Sequence, residues 1–95
     1  MTLLMEVIMK EVNGIVNVQG GLSARLSAQI VAEANKYKSN IKIVSNEEEA
    51  DLKSIMDVMA LIIPHGASFS IMIDGGDEDI ALSSFVKLLI ELNLK

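Results

Sequence analysis

The stretch Lys53–Leu61 reads Lys-Ser-Ile-Met-Asp-Val-Met-Ala-Leu and sets where one helix of the chain begins. Ser54 stands just before a short apolar-periodic run, with Asp57 three residues on. A serine there accepts from the early backbone N–H groups, so the pattern predicts an N-cap. The helix is expected to bury Val58, Leu61 and Ile62. That leaves Ile55, Met56, Met59 and Ile63 on or near the other face. Soluble helices seldom expose so much apolar surface without a use, and methionines suit an adaptable protein-binding surface. Two readings stand at this point. Ser54 only caps and the methionines are core, or the hydroxyl and the patch beside it form a site.

The rest of the chain bounds the answer. Its 95 residues make one small domain, and 51% hydrophobic residues are enough for a core without metal or disulfide staples. Only 3% are aromatic, so that core must be built from Ile, Leu, Val, Met and Ala. There is no cysteine, which excludes disulfides and thiolate sites and fits a cytoplasmic protein. The formal charge is −5, with no basic patch dense enough to track a phosphate backbone, so direct nucleic-acid binding is not expected. The start, Met1–Ile8, has no positive region and carries Glu6, unlike a signal peptide. No apolar run is long enough to span a bilayer. No constellation of paired acids, metal ligands or an activated nucleophile suggests an enzyme, and neither metal nor cofactor is expected.

Leu3 to Gln19 is β-rich, and Asn13-Gly14 is a strong hairpin-turn signal. A hairpin is the expectation; the alternative is one strand running through, with Gly14 as a weak point or bulge. Gly20-Gly21 breaks the chain. Ser23 then begins a helix with an apolar stripe of Leu26, Ile30, Val31 and Ala34, running to about 35–37. Arg25 in its first turn opposes the helix dipole. It is either an ordinary solvated arginine or the holder of an anion.

Strands are expected at 41–44 and 50–53, with a turn at Asn46-Glu47 and a solvated acidic run at Glu47–Glu49. The helix from Ser54 ends at Pro64-His65-Gly66. Phe69, Ile71 and Ile73 alternate with polar neighbours as a strand. Asp77, Glu78 and Asp79 suit a helix start, and Leu82, Phe85, Val86 and Leu89 form its packing stripe. The order predicts an α+β open-faced sandwich: a four-stranded, mainly antiparallel sheet with three helices on one face. Residues 11–95 form the domain and residues 1–10 an extension, which is expected to support a homodimer by pairing with a second copy's edge strand.

Gly21-Leu22-Ser23-Ala24-Arg25 and Lys53-Ser54-Ile55-Met56 together resemble the HPr family, the histidine-containing phosphocarriers of the bacterial sugar phosphotransferase system. That family shows Gly-(Leu/Ile)-His-Ala-Arg-Pro followed, at the same separation, by Lys-Ser-Ile-Met-Gly-(Val/Leu)-Met. The resemblance implies that Ser23 occupies the phosphohistidine position. Phosphoserine is a stable ester, so phosphotransfer is not expected, and His65 falls in a loop with no such role. Leu26 replaces the family proline. Arg25 is implied to contact partners and to lie close enough to read an anion at position 54. Ser54 matches the regulatory serine that an HPr kinase/phosphorylase modifies in Gram-positive relatives. Ile55, Met56 and Met59 match the surface that binds a LacI-type catabolite control regulator. The chain is similar in kind to the branch linked to catabolite repression, which also lacks the histidine. Asp57 replaces a family glycine and sets a second negative charge near Ser54. That leaves two alternatives: an interaction module independent of phosphorylation, or a diverged phosphocarrier.

Overall fold

Alternation is cleanest in the stretch Ser68–Asp74, and it becomes one of the two central strands of the sheet. The computed structural model describes residues 10–95. Its elements are β1 (Lys10–Ile15), α1 (Ala24–Ala34), β2 (Asn40–Ser45), β3 (Glu48–Asp51), α2 (Ile55–Leu61), β4 (Ser68–Asp74) and α3 (Glu78–Glu91). The strands form one sheet in the order β1-β4-β2-β3, with every pairing antiparallel. Phe69, Ile71 and Ile73 point inward from β4. Ile43 and Val12 lie opposite Ile71, and Ile41 lies opposite Ile73.

Against that face pack Leu26, Ile30 and Ala34 of α1, Val58 of α2, and Ala81, Phe85 and Leu89 of α3, all in one core. The opposite sheet face is polar. There Ser70 donates to Asn13 and Lys42 pairs with Glu49. This is the expected open-faced α+β sandwich, with one wet face that an antiparallel sheet tolerates.

The hairpin expected at Asn13-Gly14 does not form. β1 runs straight through both residues and pairs with β4, with Gly14 opposite Phe69. The glycine is there for close approach. A Cβ at position 14 would sit 2.5 Å from Cζ of Phe69 and would also collide with the carbonyl oxygen of Leu94. That carbonyl accepts from the Ile15 N–H at 3.0 Å. It is delivered by a Schellman turn that closes α3. Leu94 N–H reaches Leu89 O at 2.8 Å, Asn93 N–H reaches Ile90 O at 3.2 Å, and Asn93 takes φ 63°. The β-rich residues before Lys10 lie outside the described residues.

Smaller differences have equally local causes. Asn46 and Glu47 both take positive φ, a two-residue turn of the kind that matches strand twist. Such a tight turn pulls Glu48 and Glu49 into β3, so the acidic run is only partly a turn and β3 starts and ends earlier than expected. In α3 the buried stripe is Ala81, Phe85 and Leu89, whereas Val86 is 37% exposed. The expected stripe drifted because α3 also carries apolar residues on its outer side.

The link between α1–β2 and α3 is polar. Asp77 precedes α3 but does not cap it with its side chain. Its carboxylate accepts instead from the backbone N–H of Lys38 at 2.8 Å, the backbone N–H of Ser39 at 3.0 Å and the Ser39 hydroxyl. A second tie runs from the Ser84 hydroxyl on α3 to Glu33 on α1.

Two outcomes follow for stability. Gly14→Ala should destabilise by about 1–3 kcal/mol, the usual cost of overpacking, because strand and C-terminal turn must both shift; urea unfolding of both proteins reads this directly. The Ser39 hydroxyl, with help from the Lys38 and Ser39 N–H groups, holds Asp77 below its ordinary pKa. A depressed carboxylate contributes stability that is present above its unfolded pKa and is lost as pH falls through the folded value. Asp77→Asn should therefore lower the melting temperature at neutral pH. The gap to the parent should narrow as pH drops below about 3.9, the unperturbed aspartate value.

Candidate functional site

Two glycines and two serines place the candidate residues. Gly20 and Gly21 both take positive φ, at 90° and 75°. Gly21 also has no room for a side chain, since a Cβ would lie 2.7 Å from Ile63 O. Leu22 N–H donates to that same carbonyl at 2.9 Å. The chain then enters α1, with Ser23 as N-cap and its Oγ accepting from Leu26 N–H at 3.2 Å. Ser23 and Arg25 are exposed, and Arg25 has no ion pair among the described residues. Leu26, one step on, is buried in the core.

Ser54 caps α2 as the sequence predicts. Its Oγ accepts from Asp57 N–H at 3.3 Å, and its own N–H donates to Asp51 O at 3.0 Å. The residue before it is held on several sides. Lys53 N–H donates to the Asp51 carboxylate at 2.9 Å, its ammonium reaches Tyr37 O at 2.7 Å, and its carbonyl accepts from the Asn35 amide at 3.2 Å. The serine hydroxyl is thus part-exposed on an anchored helix start. Val58 faces the core at 1% exposure, while Met56 is 80% exposed and Ile55 and Met59 are each 39% exposed. The structure brings Ser54, Ile55, Met56 and Met59 together on one short helix.

It does not bring Arg25 to Ser54. The two helices run antiparallel: Asn35 at the end of α1 reaches Lys53 just before α2, and Leu22 just before α1 reaches Ile63 just after α2. Ser23 and Arg25 therefore belong to the far end of α2 from Ser54. Seven helical residues put roughly 10 Å between those ends. The expectation that Arg25 sits close enough to read an anion at position 54 has no contact to support it. His65 is exposed in the turn after α2.

The α2 expectation also needs correction at its end. Ile62 is 80% exposed and Ile63 is 4% exposed, the reverse of the sequence reading. The helix stops at Leu61, and Ile62 swings into the left-handed region at φ 52°. Pro64 is the signal that was available. A residue before proline is pushed out of the helical region, so Ile63 must extend and residue 62 must make the reversal. Ile62 thereby extends the Met56–Met59 patch toward the Ser23 end. A β-branched side chain at positive φ is strained, and this one recovers nothing by burial. Ile62→Gly should raise stability by about 1 kcal/mol, read as a higher urea midpoint with an unchanged slope.

With this geometry in hand, comparison with known proteins is specific. The family description "PTS HPr component phosphorylation site" matches residues 10–91. The phosphocarrier protein HPr of Mycoplasma capricolum is 38% identical over 86 residues, covering 90% of this chain and 97% of that protein. A solved Mycoplasma histidine-containing phosphocarrier protein superposes with TM-score 0.83 at 38% identity, covering 86% of this chain and 93% of that one. The catabolite repression protein Crh of Bacillus subtilis, described as a dimer with a swapping domain, superposes with TM-score 0.67 at 27% identity, covering 96% and 97%. A family match across residues 10–91 and the shared fold agree: the chain belongs to the HPr family of phosphotransferase-system proteins.

Proposed function

We propose that this is a regulatory member of the HPr family that acts by binding other proteins, with Ser54 as its phosphorylation switch and without histidine phosphotransfer. The observation that carries the reading is the Ser54 hydroxyl, part-exposed at the start of α2 and flanked by the exposed Ile55, Met56 and Met59. Ser23 stands at the phosphohistidine position by family resemblance and is a helix cap here. A serine phosphoester lacks the transfer potential of a phosphoimidazole. Arg25 serves at the Ser23 end of the same surface. The protein is not itself an enzyme and uses neither metal nor cofactor. The partners proposed are an HPr kinase/phosphorylase, a LacI-type catabolite control regulator and a second copy of the chain. Dimeric relatives and the outer edge of β1, unpaired among the described residues, support the last of these. Neither nucleic acid nor membrane is a partner, and the place of action is the cytoplasm. Residues 11–95 are the functional domain, with Lys10 joining β1 and the residues before it an extension.

One observation favours a second reading, the interaction module that is never phosphorylated. Asp57 donates its N–H to Ser54 Oγ and carries its carboxylate in the same first turn. A phosphate at Ser54 gains that N–H and the helix start but meets the carboxylate, a repulsion on the order of 1 kcal/mol near the surface. The diverged phosphocarrier is the remaining alternative, and relatives carrying that name favour it.

Treatment with an HPr kinase and ATP should label Ser54 alone, as read by quantitative mass spectrometry. Ser54→Ala should abolish the label while costing about 1 kcal/mol of stability from the lost cap. Asp57→Gly should speed labelling, more so at low salt. No label on either the parent or Asp57→Gly would leave the unmodified module as the better account. Acid-labile phosphate taken up from phosphoenolpyruvate and the system's first enzyme would instead favour the diverged phosphocarrier.

A further inference from the structure

Among the described residues, β3 has a strand neighbour on one side only, β2. In an antiparallel strand the N–H and C=O of one residue point to the same edge, and the edge alternates residue by residue. Leu52 N–H continues the ladder past Asp51 by donating to Ile41 O at 3.0 Å. Leu52 and Ala50 therefore face β2, and Glu49 and Asp51 turn their backbone groups outward. The Asp51 carbonyl is taken by Ser54 N–H at 3.0 Å. The N–H and C=O of Glu49 and the N–H of Asp51 have no hydrogen-bond partner among the described residues. An edge of this kind is a template for another extended chain.

That edge opens onto a groove of about 550 Å³ between β3 and α2. Glu48, Ala50 and Asp51 line it from the strand, and Asp57, Ala60 and Leu61 from the helix. The alanines leave room, and with Leu61 they make part of the lining apolar. The rest of the lining is acidic, and it includes no lysine or arginine. Glu49, also in the lining, is neutralised by Lys42 at 3.0 Å, whereas Glu48, Asp51 and Asp57 have no ion pair among the described residues. The backbone of this edge thus calls for an extended chain, and its side chains call for a positive one. A second copy's β3 is the wrong occupant, because it would set these acids directly opposite the same acids.

We propose that the groove between β3 and α2 binds an extended basic segment of a partner protein, which adds a strand to the sheet beside β3. Its backbone pairs with the outward groups of Glu49 and Asp51. Its lysines or arginines meet Glu48, Asp51 and Asp57, and small apolar residues between them rest on Ala60 and Leu61. β3 is four residues long, about 13 Å, so a segment of roughly four to five residues fills the edge. This surface is separate from Ser54 and the Ile55–Met56–Met59 patch. Its occupation goes beyond the reading above and does not depend on phosphorylation.

The test is an NMR titration of the full chain, labelled with nitrogen-15, with the acetylated and amidated peptide Lys-Val-Arg-Val-Lys. The expected result is saturable shifts of the Glu49, Asp51 and Ala60 amides, slower hydrogen exchange at Glu49 and Asp51, and loss of both effects at high salt. The peptide Lys-Pro-Arg-Pro-Lys has the same charge but lacks the strand donors at its prolines, and it should leave exchange at Glu49 and Asp51 unchanged. Ala60→Arg puts a cation and bulk into the groove from an exposed helix position that tolerates arginine, and it should lose the shifts while Ala60→Ser keeps them. Equal effects from the two peptides would mean charge attraction without strand pairing, which overturns the proposal. So would shifts that avoid Glu49 and Asp51, or binding that survives Ala60→Arg. A dimer joined through β3 in the absence of peptide would assign the edge to a second copy and also overturn it.

Discussion

Everything in this fold hangs on the contact of Phe69 with the gap left by Gly14. Among the described strands β4 alone has two neighbours that both lie far from it in sequence, and Phe69 is where its inner face meets both β1 and the end of α3. The ring fills the space a β1 side chain would take, and the Leu94 carbonyl closes over the same point onto Ile15. One missing Cβ thereby lets the first described strand, the middle strand and the chain's end meet. The helices then cover the sheet face that this junction has already aligned.

The two serine caps were legible because capping is local chemistry. A hydroxyl three residues before a free N–H needs no tertiary information, and both Ser23 and Ser54 hold to it. The α+β architecture was legible for the same reason, since period-two and period-3.6 patterns alternate without ambiguity from Gly20 onward. What failed depended on distant partners. Asn13-Gly14 reads as a turn by itself and becomes strand interior only because Phe69 and Leu94 claim the glycine's empty side. Ile62 reads as core by spacing and is turned out because Pro64 forces the helix to end early. The place of Arg25 depended on the antiparallel course of α1 and α2, which the spacing of two motifs along a chain does not contain.

That antiparallel course bears on how the molecule is read by others. Ser23 and Arg25 mark one end of α2, Ser54 marks the other, and Met56, Met59 and Ile62 lie between. An apolar strip joins two polar ends, so the same methionines can serve a partner that engages either. Charge chemistry at one end leaves the other end's hydrogen bonds untouched, because no bond among the described residues connects Arg25 to Ser54.

The closure of Leu94 onto Ile15 has a consequence for biosynthesis. The buried leucine follows α3, the last helix of the fold, and its partner strand β1 is the first of the described elements to be made. While the chain grows, β1 has neither β4 beside it nor the α3 turn beneath it. Its apolar side, with Val12 and Gly14, stays open until β4 and the turn that closes α3 have been made. Pairing of β1 is accordingly a late step of folding, since its partners among the described residues all come far later in the sequence. The interval before α3 is complete is when a holding chaperone or a neighbouring nascent copy has access to that strand.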